Sequence, residues 1–516
     1  MAVDGFPRWS IWVAFTAALV SVPANAQFAN TPSPAQPDNA FDRATFDPRF
    51  IGAVVRLLEG RTYANTRAPI PDTDTELGAL QTGDLKSWPR MYRNDDLLVT
   101  GILNGGVGLF GMTDNLFGPP PPIAASNYVK NPSWGEFFIE PGLSATYKLS
   151  PAASVYGSFS YVESSTRGTD NTGAGNVYYG NRELLFGGIR WRDAGSGLAL
   201  DASFGQQDFT VGNQMLLGRG ASDNTAQRGA NQLGPRNAWA NAGIVKATWQ
   251  DFNVQAFYLK PNESPNSATG TIFNGINVEW LPAGPVRLGA MYLYVPDSDI
   301  VTRDKLNIVD LRARAHPVPS TPRFWLQGEY AAQRKGNVAA DGWYVQANYN
   351  ALDTAWKPLF ALRYASLSGD KSGTSKWEGF DPLYFSGGNP NWYQGKIGSS
   401  IFNNTNLNVA NATLTLTPDD KNIIELLYLY FSADQTNSPL SIPAVGAIPV
   451  GGGGVPTKAL ASEFDLSYTY TINKNLNINS FAAYAAPGAG LKHSYSASGG
   501  NASGWWFFGT QLNFSY

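Results

Sequence analysis

The sequence predicts an all-β chain: a transmembrane, antiparallel, up-and-down β-barrel of about eighteen strands with long external loops and short periplasmic turns. Three observations predict it. Short segments alternate between apolar and polar residues from Phe137 to the C-terminus, the connections between them switch between tight and long, and the chain ends on an aromatic strand. In that closing strand Trp506, Phe508, Leu512, Phe514 and Tyr516 fall on one face, and Gly509, Gln511, Asn513 and Ser515 on the other. Successive side chains of a strand point to opposite faces, so the split suits lipid on one side and water on the other.

Taken from the N-terminus, Arg8 precedes the apolar run Trp9 to Val22, and Pro23-Ala24-Asn25-Ala26 gives the small-x-small pattern of a cleavage site before Gln27. Residues 1–26 read as a signal peptide, because the run is too short to span a bilayer. Residues 27–96, rich in Pro, Asp and Asn, read as a periplasmic extension. Asp72, Asp74 and Glu76 lack the glycine and distal glutamate of a calcium loop and read as solvated. The barrel is expected over 97–516, with its first strand within 97–112 and residues 50–59 as a competing candidate.

Walking back from the last strand, external connections fall near 486–503, 433–459, 368–408, 335–341, 296–305, 261–269, 208–238 and 164–182. Periplasmic ones fall near Asn473-Lys474, Asp419-Asp420-Lys421, 351–355, 318–321, Pro282-Ala283-Gly284-Pro285, Gln250-Asp251, Asp193-Ala194-Gly195 and Ser150-Pro151-Ala152, each about five residues or fewer. Loop lengths sorted by parity fit a membrane barrel and have no reason in a sandwich or propeller.

The lipid-facing sets are expected to include Phe252, Val254, Ala256 and Tyr258; Val286, Leu288, Tyr292 and Tyr294; Trp343, Val345 and Tyr349; Trp356, Phe360, Leu362 and Tyr364; and Phe464, Leu466 and Tyr468. Aromatics at the ends of such sets are the mark of interfacial girdles. One strand, 422–432, sorts poorly, since Glu425 shares a face with Leu427, Leu429 and Phe431; a bulge or a loop packed inside would explain it. On the lumen side stand Arg190, Arg192, Lys246, Arg287, Arg312, Arg314, Arg323, Lys357 and Arg363 against Glu140, Asp201, Asp310, Glu329 and Asp465, a ratio of roughly nine to five. Two readings follow: a basic pore that lowers the barrier for anions, or cross-strand ion pairs that brace the wall.

Between 376 and 398 the chain reads Lys376-Trp377-Glu378-Gly379-Phe380-Asp381-Pro382-Leu383-Tyr384-Phe385, then Trp392-Tyr393-Gln394-Gly395-Lys396-Ile397-Gly398. This resembles the alginate-export family of outer-membrane barrels, as do Arg182-Glu183-Leu184, Gly197-Leu198 and Ser203 to Phe209. The resemblance covers about 180–435 and implies eighteen strands, as in bacterial barrels of even strand number, in the outer membrane of a Gram-negative bacterium. It also implies a channel for an acidic polysaccharide or a smaller anionic solute, with periplasmic polymer-handling proteins as partners. Where that family carries an acid after Gln-Gly, this chain has Lys396. Residues 368–408 are expected as a constricting loop, with Trp377, Glu378, Phe380, Asp381, Trp392 and Gln394 as its motif; the aromatics would either stack on sugar rings or wedge the loop against the wall.

Other classes fit less well. A near-neutral charge, formally −3, gives no field for nucleic acid. The chain has no Cys and only two His, His316 and His493, with no nucleophile elbow. No cofactor, metal site or catalytic centre is expected, and the Gly451–Gly454 run lacks the context of a phosphate loop. The alternatives to an anion channel are a general diffusion porin and a loop-plugged structural barrel.

Overall fold

A computed structural model describes residues 90–119, 127–173, 175–193, 195–222, 227–264, 268–282, 285–318, 323–385, 392–440, 454–473 and 475–515. The signal peptide, most of the expected extension and the 50–59 candidate lie outside these residues. Eighteen strands form the wall: β1 Leu97–Thr113, β2 Ser133–Ser150, β3 Ala153–Thr169, β4 Val177–Arg192, β5 Ala199–Gln207, β6 Trp239–Trp249, β7 Phe252–Lys260, β8 Ile272–Trp280 and β9 Val286–Asp297, followed by β10 Asn307–Ala315, β11 Phe324–Lys335, β12 Val338–Asn350, β13 Leu359–Leu367, β14 Leu407–Leu416, β15 Asn422–Ala433, β16 Ala459–Asn473, β17 Leu476–Pro487 and β18 Trp505–Ser515. Each pairs antiparallel with its sequence neighbour, and β1 pairs with β18 from Asn104↔Ser515 to Thr113↔Trp506, which closes the ring. Closure leaves no open edge between lipid and water.

One further strand, Arg90–Arg93, turns back at Asn94 and pairs with β1 at Leu98–Thr100. It occupies the part of β1 that β18 does not reach. Among the described residues no helix is long and apolar enough to cross a membrane.

The lipid face follows the alternation read from the sequence. Phe252, Leu288, Tyr292, Val345, Tyr349, Phe360, Leu362, Tyr364, Phe464 and Leu466 are all exposed on the outside of the wall. The periplasmic turn 351–358 is longer than expected, because β13 starts only after Pro358, whose missing N–H keeps it out of a ladder. Trp356 therefore lies in a turn and not in a strand.

A ring of eighteen strands is too wide for side chains alone to fill. Here the described parts of two external loops, 208–222 with 227–238 and 368–385 with 392–406, fold into the lumen and supply the core. Phe209, Met215, Leu217 and Leu233 from the first, and Phe380, Trp392, Ile397 and Phe402 from the second, are buried against wall residues such as Phe257, Tyr344 and Phe431. This accounts for β15: Glu425, Leu427, Leu429 and Phe431 all face inward, and Phe402 packs on Phe431 with ring centroids 4.7 Å apart. The packed loop, one of the two explanations expected, is what makes that face apolar.

Candidate functional site: the lumen and its inward loops

The motif segment of loop 368–406 is built as a wedge. Phe380 is fully buried and sits over Gly342 of β12, where a Cβ would lie 2.5 Å from its ring. Its carbonyl accepts from Thr405 Oγ1 (2.7 Å) and its N–H donates to Ser368 O (2.9 Å). Asp381 accepts from Arg303 Nε (2.8 Å) and Nη2 (2.7 Å), and its backbone exchanges bonds with the Gln333 amide of β11. Burial works against the Arg303 charge, Asp381 outweighs it, and the guanidinium is held above its usual range. Trp377 Nε1 donates to Gly379 O (3.0 Å), and Glu378 stays near the surface beside Lys371. Trp392 is buried with its ring 5.6 Å from Tyr344, and Gln394 Nε2 donates to Asn404 Oδ1 (3.1 Å). The motif aromatics therefore hold the loop in place rather than face open water.

Seven of the nine expected lumen cations fall into three groups. Arg190 is paired with Asp201 (2.7 Å) and lies over Tyr156 (3.9 Å), with Lys246 beside Asp201 across the ladder and Arg192 lower on β4. Arg312 meets Asp310 and, at 3.6 Å, Glu279. Arg287, Arg314 and Arg363 belong to one row across six strands, in which Arg287↔Arg314↔Gln327↔Gln346↔Arg363↔Asn411 are successive ladder partners. Arg314 stacks on Trp325 at 4.9 Å; Arg363 stacks on Trp392 at 5.0 Å and donates to the Tyr393 carbonyl. Because barrel strands tilt by roughly 35–45°, this row climbs from the periplasmic ends of β9 and β10 to the middle of β13.

Arg323 and Lys357 are not wall residues. Both lie in periplasmic turns, Arg323 paired with Asp353 at 2.5 Å and Lys357 just before Pro358. The expected cation excess also disappears, because Glu136, Glu183, Glu279, Glu425 and Glu463 are buried on the inner face beside Glu140, Asp201, Asp310, Glu329 and Asp465.

Several of these acids clasp the loops. Glu136 accepts the N–H groups of Gln232 and Leu233 (both 2.9 Å), and Glu183 those of Asn237 (2.5 Å) and Ala238 (2.8 Å). Glu463 accepts those of Ile397 and Gly398 (both 2.7 Å), and Asp465 that of Lys396 (2.9 Å). Each carboxyl thereby supplies acceptors to loop N–H groups that would otherwise be buried without partners. Lys396 stands where the resembled family has an acid. Burial pushes its ammonium below the usual lysine range, while Asp465, Glu425 and Glu463 counter that effect. An acid at 396 would be a fourth acid in this corner, whereas the lysine is drawn to the three already there.

The profile of the Alginate export family matches residues 185–504, more than half of the chain. No curated protein matches it in sequence. Among solved structures it is similar to the outer membrane protein OprD of Pseudomonas aeruginosa, at 13% identity and a TM-score of 0.51, over 81% of this chain and 93% of that one. It is also similar to OccAB2 of Acinetobacter baumannii, at 14% identity and a TM-score of 0.50, over 81% and 98%. These two likenesses concern the fold alone. A closed eighteen-stranded wall with an apolar outside, aromatic ends and a polar interior, together with the family match over β4 to the last loop, places the chain in the alginate-export family of Gram-negative outer-membrane β-barrel channels.

Proposed function

We propose that this barrel conducts small anionic solutes, acidic sugars or their short oligomers, along the row that runs from Arg287 through Arg314 to Arg363. The observation that carries this reading is the composition of the row: three arginines with Gln327, Gln346 and Asn411 between and beyond them, and no carboxylate among the six. Many inward acids are committed elsewhere: Asp201 to Arg190, Asp310 and Glu279 to Arg312, and Glu136, Glu183, Glu463 and Asp465 to loop amides. Successive guanidiniums along a confined path lower the barrier for an anion and offer bidentate bonds to a carboxylate. The filled outer half of the lumen favours a short solute over a long polymer while the loops are in.

The test is single-channel recording in a planar bilayer under a salt gradient. An anion-selective reversal potential that moves toward zero in Arg287→Gln, Arg314→Gln and Arg363→Gln supports the reading. Cation selectivity, or selectivity indifferent to all three, sinks it. A folded barrel that never conducts favours the structural alternative.

A further inference from the structure

The row of arginines is buried while the two loops occupy the lumen, so the channel reading raises the question of what moves. We infer that the described parts of the two inward loops, 208–222 with 227–238 and 368–385 with 392–406, form one gate, clasped to the wall by Glu136, Glu183 and Glu463, and that the pore opens when this body leaves the lumen as a unit.

Two sets of contacts carry the inference. The first joins the loops to each other through backbone. Tyr384 N donates to Leu216 O (3.1 Å), Gly218 N to Tyr384 O (2.9 Å) and Trp392 N to Asn213 O (2.9 Å), and Leu217 and Tyr384 pair as a parallel bridge. The Tyr384 ring itself packs on the wall, with Trp239 of β6 and Phe273 of β8 each at 5.6 Å. The second set joins the loops to the wall in a repeated manner, beside the separate Gln333–Asp381, Asp465–Lys396 and Arg363–Tyr393 bonds. On β2, β4 and β16 a buried glutamate receives two consecutive loop amides, Gln232–Leu233, Asn237–Ala238 and Ile397–Gly398. The ladder bonds of the wall run uninterrupted from strand to strand without the loops, so the gate can leave without opening the barrel. Each clasp is local, whereas the seam makes the loops depend on one another. Weakening any one clasp should therefore loosen the whole body.

The inference rests on the channel reading, and the experiment separates the two. Single-channel traces of the full-length protein are compared with Glu136→Ala, Glu183→Ala and Glu463→Ala, and with a Leu217→Cys/Tyr384→Cys double variant. The chain has no cysteine of its own, so oxidation joins only the introduced pair. Glu→Gln variants at the same three sites, which keep one acceptor, and heat-modifiable mobility on gels confirm that each barrel is folded. The expected result is a tenfold or greater rise in open fraction in every alanine variant, to one common conductance level, a smaller rise in the glutamine variants, and gating unchanged by oxidation of the Leu217→Cys/Tyr384→Cys pair. Distinct conductance levels for the β16 clasp and for the β2 and β4 clasps would overturn the single gate. So would loss of gating on oxidation, or a wild-type open fraction in all three folded alanine variants. Silence of the wild type and every variant would instead remove the channel reading, and the gate with it.

Discussion

Replacing Asp381 by asparagine isolates the contact that holds the wedge of loop 368–406. Both partners of the Arg303–Asp381 pair are almost fully buried, with side chains 3% and 4% exposed, and two short bonds join them. Asp381→Asn keeps the shape and the bond to Leu383 N but takes from Arg303 its bonded counter-charge and leaves only the weaker influence of Glu263. Breaking a buried pair from one side costs about 3–5 kcal/mol. At 1.4 kcal/mol per decade, that is roughly two to nearly four orders of magnitude in the closed-to-open ratio of the loop. Hydrogen exchange followed by mass spectrometry reads this directly at the amides of Trp377, Phe380 and Tyr384, which donate to Asn337, Ser368 and Leu216 carbonyls. Their protection should fall by that factor, while protection of the β12 and β13 ladder stays the same. The Arg303→Met/Asp381→Leu double variant removes both charges and should restore most of the loss, since well-packed apolar replacements of a buried pair are often neutral. Unchanged protection in Asp381→Asn, or a double variant as loose as the single one, would refute this reasoning.

Gly342→Val should drive Phe380 out of its seat and lower protection across 377–385 without melting the wall; Phe380→Ala in the same chain should relieve the clash, and thermal melts with loop exchange check both. Asp419, in the periplasmic turn 417–421, is held below the usual carboxylate range by the N–H groups of Lys421 and Asn422 and the Asn422 side chain. Its support for the turn is therefore fully present above the ordinary aspartate value near pH 4 and is lost as pH falls through the depressed one, so exchange at Lys421 and Asn422 should quicken in that acid window and not above it. Asp419→Ala should show the quick exchange at all pH values. For the lumen, Arg190→Gln should disturb folding yield more than ion selectivity, because its charge is spent on Asp201; refolding yield and reversal potential separate the two effects.

How far the wall was legible follows from one rule, the two-residue period of a strand. It sorted the lipid face correctly wherever strands ran without interruption, but not every external connection is long: 335–341 is the two-residue turn Gly336-Asn337, and β3 and β4 run through most of 164–182. It failed where the period breaks. In β4 the register skips between the Ser160↔Leu184 and Tyr161↔Arg182 pairs, so that Glu183 and Leu184 both point inward and the alternation gives no hint of the glutamate's role. Arg323 and Lys357 were misplaced because turn ends beside prolines still look periodic. Glu463 shares a face with Asp465, and sorting that face would have found it; Glu136 lies one residue before the point where the alternation becomes evident. The purpose of these acids had no sequence signal at all, because backbone amides are their partners and every residue but proline has one. The loop motif, by contrast, was identifiable as a segment, and the wedge role of its aromatics agreed with what aromatic side chains most often do.

The small strand Arg90–Arg93 sets where the chain can be cut. Since β18 first meets β1 at Asn104, the stretch from Leu97 to Leu103 has a neighbour on only one side apart from this strand, which covers Leu98 to Thr100. A chain shortened to begin at Leu97 would present bare N–H and C=O groups at the periplasmic rim, next to its own C-terminus. Such an edge recruits other strands, so truncation there should yield barrels that stick rim to rim, whereas a cut ahead of Arg90 should leave them single.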